Sequence, residues 1–160
     1  MLHRQLATKY SVKDKDNILT HNQWSGGEYD KNSQSDINLS TATVIISDEH
    51  SSNGEYSYKV TPSSETGYFN IIFDSLNDVA GKTALLTLDY LTNSSTSRVN
   101  IIQVNSNNGE IDRKWVQLTS DNIFNEVILT SQLQDDCVKI IIRVLLDTVL
   151  FLDNITLKIQ

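Results

Sequence analysis

Carboxylates are the only chemically active side chains this sequence has in number. It holds 20 Asp and Glu, but only three histidines (His3, His21, His50) and one cysteine, Cys137. Glycoside hydrolysis needs two carboxyl groups about 5–10 Å apart, and among so many acids some pair always falls in that range. Proximity therefore names no catalytic dyad. No Gly-x-Ser-x-Gly, His-Glu-x-x-His or glycine-rich phosphate loop occurs. A lone cysteine excludes an internal disulfide and a cysteine-based zinc site. With no histidine near it in sequence, Cys137 reads as a small buried residue rather than a nucleophile. The chain reads as non-enzymatic.

Flat aromatic rings offer a different chemistry. A ring stacks on the apolar face of a pyranose while neighbouring amides and carboxylates hold its hydroxyls. Trp24, Tyr29 and Tyr68 lie in or beside polar loops and suit such a platform. In the run Thr83 to Leu91, Thr87 and Asp89 share the face opposite the apolar residues, and Asn100 and Gln103 follow on the next run. These four are expected to line one concave sheet as hydrogen-bonding partners, although a register slip of one residue reverses the facing. Trp24 and Tyr68 suit packing equally well, and Tyr56, Tyr58, Tyr90 and Trp115 read as core. Lys139 and Arg143 share a face of their run that reads as solvated. Asn-x-Ser/Thr triplets at Asn38, Asn93 and Asn154 are what chance supplies in a chain this rich in Asn, Ser and Thr.

The elements that position these side chains are strands. The apolar runs are short and rich in Ile, Val, Leu and Thr, and Asn, Ser, Thr and Asp separate them. Strands are predicted near 17–20, 41–46, 55–60, 67–73, 83–91, 98–104, 111–118, 126–130, 138–144 and 150–159. Asn53-Gly54 and Asn107-Asn108-Gly109 mark tight turns. Regular spacing without any long helical period implies an all-β sandwich or barrel rather than a parallel βαβ sheet. At 160 residues the length suits one domain, read as a charged tail over 1–16 and a sandwich over 17–160. The formal net charge of −7 disfavours a nucleic-acid partner, and no apolar window is long enough for membrane insertion.

Five segments, in order, resemble a carbohydrate-binding module of the galactose-binding-like jelly-roll type, as appended to xylanases and glucanases. They are Asn17-Ile18-Leu19 with Trp24, Ser52 to Val60, Ala80 to Tyr90, Lys114 to Leu118, and Leu150 to Leu157. The resemblance implies a two-sheet antiparallel jelly roll and a glycan or polysaccharide partner. It also implies a structural calcium held by Asp153 with Asp48 and Glu49. Where the family has "G-F-E" on its opening strand, this chain has Gln23-Trp24-Ser25, so one glutamate ligand is missing. The alternative role for Asp153 is capping of a turn through backbone amides.

The opening Met1 to Leu6 lacks the apolar stretch of a secretory signal. An extracellular or cell-surface role therefore implies a chain cut from a longer one or carried out within an assembly such as a virion. A structural or adhesion domain of a surface or viral tail assembly, making protein contacts, is the alternative to glycan binding.

Overall fold

The computed structural model describes residues 37–38, 42–52 and 57–160. The expected opening strand near 17–20, the tail over 1–16, and Trp24, Tyr29 and Tyr56 lie outside them. Among the described residues ten strands form: β1 (Ile37–Asn38), β2 (Ala42–Ser47), β3 (Ser57–Pro62), β4 (Gly67–Phe73), β5 (Thr83–Thr92), β6 (Arg98–Val104), β7 (Glu110–Gln117), β8 (Asn125–Gln132), β9 (Lys139–Leu146) and β10 (Leu150–Ile159). They make two five-stranded antiparallel sheets. The front sheet has the order β1-β4-β9-β6-β7 and the back sheet β2-β3-β10-β5-β8. Among the described residues there is no helix. The two-sheet sandwich read from the sequence is present.

Alternation of side chains builds the interface between the sheets. On β5, Ala84, Leu86, Leu88 and Tyr90 turn inward while Leu85, Thr87, Asp89 and Leu91 are half-buried on the outer face. On the facing sheet Val99, Ile101, Ile140 and Ile142 complete the core. Each fully buried aliphatic side chain contributes about 1.5–3 kcal/mol, against backbone ordering of about 1–2 kcal/mol per residue. Gln103 is a polar member of this layer. It is 0% exposed, and its Nε2 donates to Ser131 Oγ at 2.8 Å and to the Gln132 carbonyl at 2.9 Å. Its Oε1 accepts the Gln134 amide at 2.8 Å. The side chain thus ties front strand β6 to back strand β8.

Only β2-β3 and β6-β7 pair with their sequence neighbour, and the remaining connections from β3 onward switch sheets. That is the crossing pattern of a jelly roll. The β6-β7 hairpin turns at Asn105, whose Oδ1 accepts the amides of Asn107 and Gly109 at 3.0 and 2.9 Å. Asn108 sits there in the left-handed region, at φ 62°. On β10, pairing with β5 steps from Asp153↔Asp89 to Thr156↔Thr87, which leaves one extra residue on β10. Asn154, at φ 51°, takes up this bulge.

Candidate functional site

The two outer faces of the sandwich differ in chemistry. On the front sheet the register places Asn70, Arg143, Asn100 and Trp115 side by side across β4, β9, β6 and β7. One step along the strands, the same register aligns Tyr68, Leu145, Arg98 and Gln117. These positions alternate with the inward core residues and so face out. Trp115 is 51% exposed. The Arg98 guanidinium lies 4.7 Å from the centre of its ring, and Arg143 lies 4.8 Å from that of Tyr68. Such cation–π contacts contribute about 0.5–1 kcal/mol at exposed sites, and here they also fix how the rings are presented. Arg143 Nε donates to Asn70 Oδ1 at 2.9 Å, and Asn100 Nδ2 donates to the Arg143 carbonyl at 3.3 Å. From β4 to β7 is three inter-strand steps, or about 14 Å at the usual spacing.

One end of this face meets a cavity of about 230 Å³ lined by Thr66, Thr96, Arg98, Leu145 and Asp147 among others. Hydrogen bonds from Ser94 and Thr96 hold the Asp147 carboxyl below its ordinary range, and Thr96 Oγ1 donates to Asp147 Oδ2 at 2.6 Å. At the opposite end Arg113 is paired with Glu110 at 2.6 Å. The hydrogen bond from Arg113 holds the Glu110 carboxyl low.

The back sheet is built otherwise. Residues 48–52 lie against its outer face: Ser52 donates its amide to Asp153 Oδ2 at 2.9 Å and its hydroxyl to Asp89 Oδ2 at 2.6 Å. The Asn154 amide reaches Asp153 Oδ1 at 2.9 Å and its Nδ2 reaches Asp89 Oδ2 at 2.7 Å. His50 packs edge-on against Phe151, with ring centres 4.8 Å apart. Ile45 and Ile128 are exposed on this side.

Set against the sequence reading, the candidate sugar residues divide. Tyr68 and Asn100 share the front face, Asn100 only 2% exposed. Thr87 and Asp89 lie on β5 in the back sheet, where Thr87 hydrogen-bonds Thr156 and Asp89 anchors Ser52 and Asn154. They do not line one sheet with Asn100 and Gln103, because the β5-β6 connection crosses between layers. Gln103 faces the core and is not a surface group. Trp115, expected in the core, is exposed, and Arg143, expected to be solvated, is half-buried beneath the same face. Tyr58, Tyr90 and Cys137 are buried as expected, and burial pushes the Cys137 thiol up.

The three acids expected around calcium do not converge. Glu49 pairs with Lys59 at 2.7 Å and Asp48 is exposed. Among the described residues no three His, Cys, Asp or Glu side chains are grouped to hold a metal. Asp153, 0% exposed, accepts the two amides given above, as the turn-capping alternative required.

No protein-family model and no curated protein matches this sequence. Solved structures do match in shape. The enzymatically active domain of tailspike protein 4 from bacteriophage CBA120 superposes with TM-score 0.72 at 14% identity; the match covers 91% of this chain and 22% of that one. This chain thus spans under a quarter of the tailspike chain it resembles. The xylan-binding domain from CBM22 gives TM-score 0.56 at 13% identity, covering 81% of this chain and 90% of that one. The CBM22 tandem domain of Paenibacillus barcinonensis Xyn10C gives 0.64 at 10%, covering 92% and 47%. The fold is shared. At these identities the likeness is one of architecture, and it agrees with the jelly-roll carbohydrate-binding modules that the ordered sequence segments resemble.

Proposed function

We propose that the chain is a non-catalytic glycan-binding module whose ligand lies across the outer face of the front sheet. The observation that carries this reading is the exposed Trp115 ring, flanked by Asn100 and backed by Arg98, on the same face as the Tyr68–Arg143 pair. Rings offer apolar faces to a pyranose, and Asn, Gln and Arg supply directional donors to its oxygens. One structural neighbour is a xylan-binding domain, which supports the same ligand class. Shallow sites of this kind bind modestly, so display in several copies, at a cell surface or on a virion, would raise avidity. Affinity electrophoresis against a panel of polysaccharides tests it: retardation of the native chain, lost in Trp115→Ala, is expected. Unretarded migration through every gel removes the reading.

The likeness to a tailspike segment favours a second reading, an adhesion or structural domain that contacts protein in a tail or surface assembly. Sedimentation of the full chain separates the two, since a defined oligomer supports assembly and a monomer a free module.

Calcium enters as a further proposal. Asp153 and Asp89 are adjacent across β10 and β5, and the buried Oδ1 of Asn154 has no hydrogen-bond partner. These are the hard oxygen donors a structural calcium takes, and water would complete the 6–8 ligands. Melting in calcium against chelator decides it: a calcium-dependent rise in Tm supports the ion, and coincident traces dismiss it.

A further inference from the structure

The chain carries a net charge of −7, yet the front face runs against that balance. The outward positions on its strands include Arg98, Arg113, Lys139 and Arg143 against a single acid, Glu110, in the row with Val104 and Lys139. Two of these cations are already matched: Arg113 by Glu110 at 2.6 Å, and Lys139 by Asp74 at 4.0 Å. Among the described residues neither Arg98 nor Arg143 forms an ion pair, although the charge of Arg143 is felt at Glu110; each lies over an aromatic ring, with Arg143 also bonded to Asn70. A neutral sugar accepts single hydrogen bonds from a guanidinium but does not match its charge or its paired fork. A carboxylate does, because the planar fork offers paired N–H donors in the geometry of its two oxygens.

Building on the glycan reading above, we infer that the ligand is an acidic polysaccharide whose sugar carboxylates are met by Arg98 and Arg143. The aromatic rings hold both guanidinium planes in place, so little side-chain freedom is lost when a carboxylate arrives. Trp115 and Tyr68 serve as the stacking surface, and the Arg–ring pairs bridge the same two neighbouring rows, one on β4 and β9 and the other on β6 and β7. The acidic balance of the rest of the chain repels a polyanion and so steers it toward this face.

The test uses the full chain in affinity gels containing polygalacturonate, alginate or glucuronoxylan, each beside its carboxyl-reduced counterpart, with xylan and β-glucan as neutral members. Retardation by an acidic member, lost on carboxyl reduction and weakened between low and high salt, is the expected result. Arg98→Gln should weaken that binding about tenfold and Arg98→Lys less, since the charge stays while the fork goes. Arg98 is exposed, so both variants should melt with the parent; should one not, Arg143→Lys gives an independent reading. Equal retardation by an acidic polymer and its reduced form, or by neutral members alone, overturns this inference and leaves the glycan reading standing. Failure to bind any member of either class overturns both.

Discussion

Arg143 lies 4.8 Å from the centre of the Tyr68 ring and at the same time donates from Nε to Asn70 at 2.9 Å. One guanidinium therefore couples β9 to two positions on β4, and it does so on the outer face, where no core contact requires it. Rigidity of this sort belongs to a surface that presents its groups in a set geometry. The Trp115–Arg98 pair repeats the motif between β7 and β6.

Replacing Trp115 separates binding from folding. The ring is half exposed on edge strand β7, so Trp115→Ala should cost about 1 kcal/mol of stability or less and lower glycan affinity at least about tenfold. Chemical denaturation and affinity electrophoresis on the same preparation read both quantities. An unfolded variant, or one that binds as the parent does, contradicts the assignment of this ring to the ligand surface.

Much of the architecture can be read directly from the residues, and the reasons for the failures are physical. β5 alternates without interruption, so its inward set of Leu86, Leu88 and Tyr90 is unambiguous. β1 has only two residues and no period to detect. Trp115 misleads because neither face of β7 is apolar: Arg113 and Gln117 share its side, Asp112 and Lys114 the other. Gln103 misleads for the opposite reason. Ile101 and Ile102 put apolar residues on both faces of β6, which hides that Gln103 follows Ile101 inward. Above all, alternation reports facing within a strand and says nothing about which sheet holds the strand. Thr87 and Asn100 are close in sequence and on opposite layers because the connection between them crosses the sandwich.

Gln103 should matter to stability and not directly to recognition. Gln103→Leu leaves the Gln134 amide without its acceptor and Ser131 without its donor in a buried layer. Orphaned buried groups cost about 1–3 kcal/mol, so a fall of that size in unfolding free energy is expected, with unchanged affinity per folded molecule. A neutral effect on urea unfolding would show that the inter-sheet clamp is not needed.

Asp153 anchors the chain around 48–52 to the back sheet through the Ser52 amide, and its other oxygen accepts the amide of Asn154 at the bulge. Asp153→Ala removes both acceptors and should destabilise by about 1–3 kcal/mol. Asp153→Asn keeps one oxygen and should lie between. Amide hydrogen exchange at Ser52 gives the local readout, and protection that survives in the alanine variant contradicts the anchoring role.

The acid limb of stability tests the loop contacts beside the front-face cavity. Hydrogen bonds from Ser94 and Thr96 lower the Asp147 pKa from its ordinary 3.8. A depressed folded pKa means that the fold favours the carboxylate. Its contribution is complete above the unfolded value and is lost as pH falls through the folded one. Because the group is exposed, solvent screening keeps the energetic effect small, and its titration is the sharper observable. The side-chain carboxyl carbon of Asp147, followed by NMR, should show a midpoint below 3.8 that moves up in Thr96→Val. An Asp147 midpoint at or above 3.8 in the parent chain would mean that Ser94 and Thr96 do not hold the carboxylate in solution.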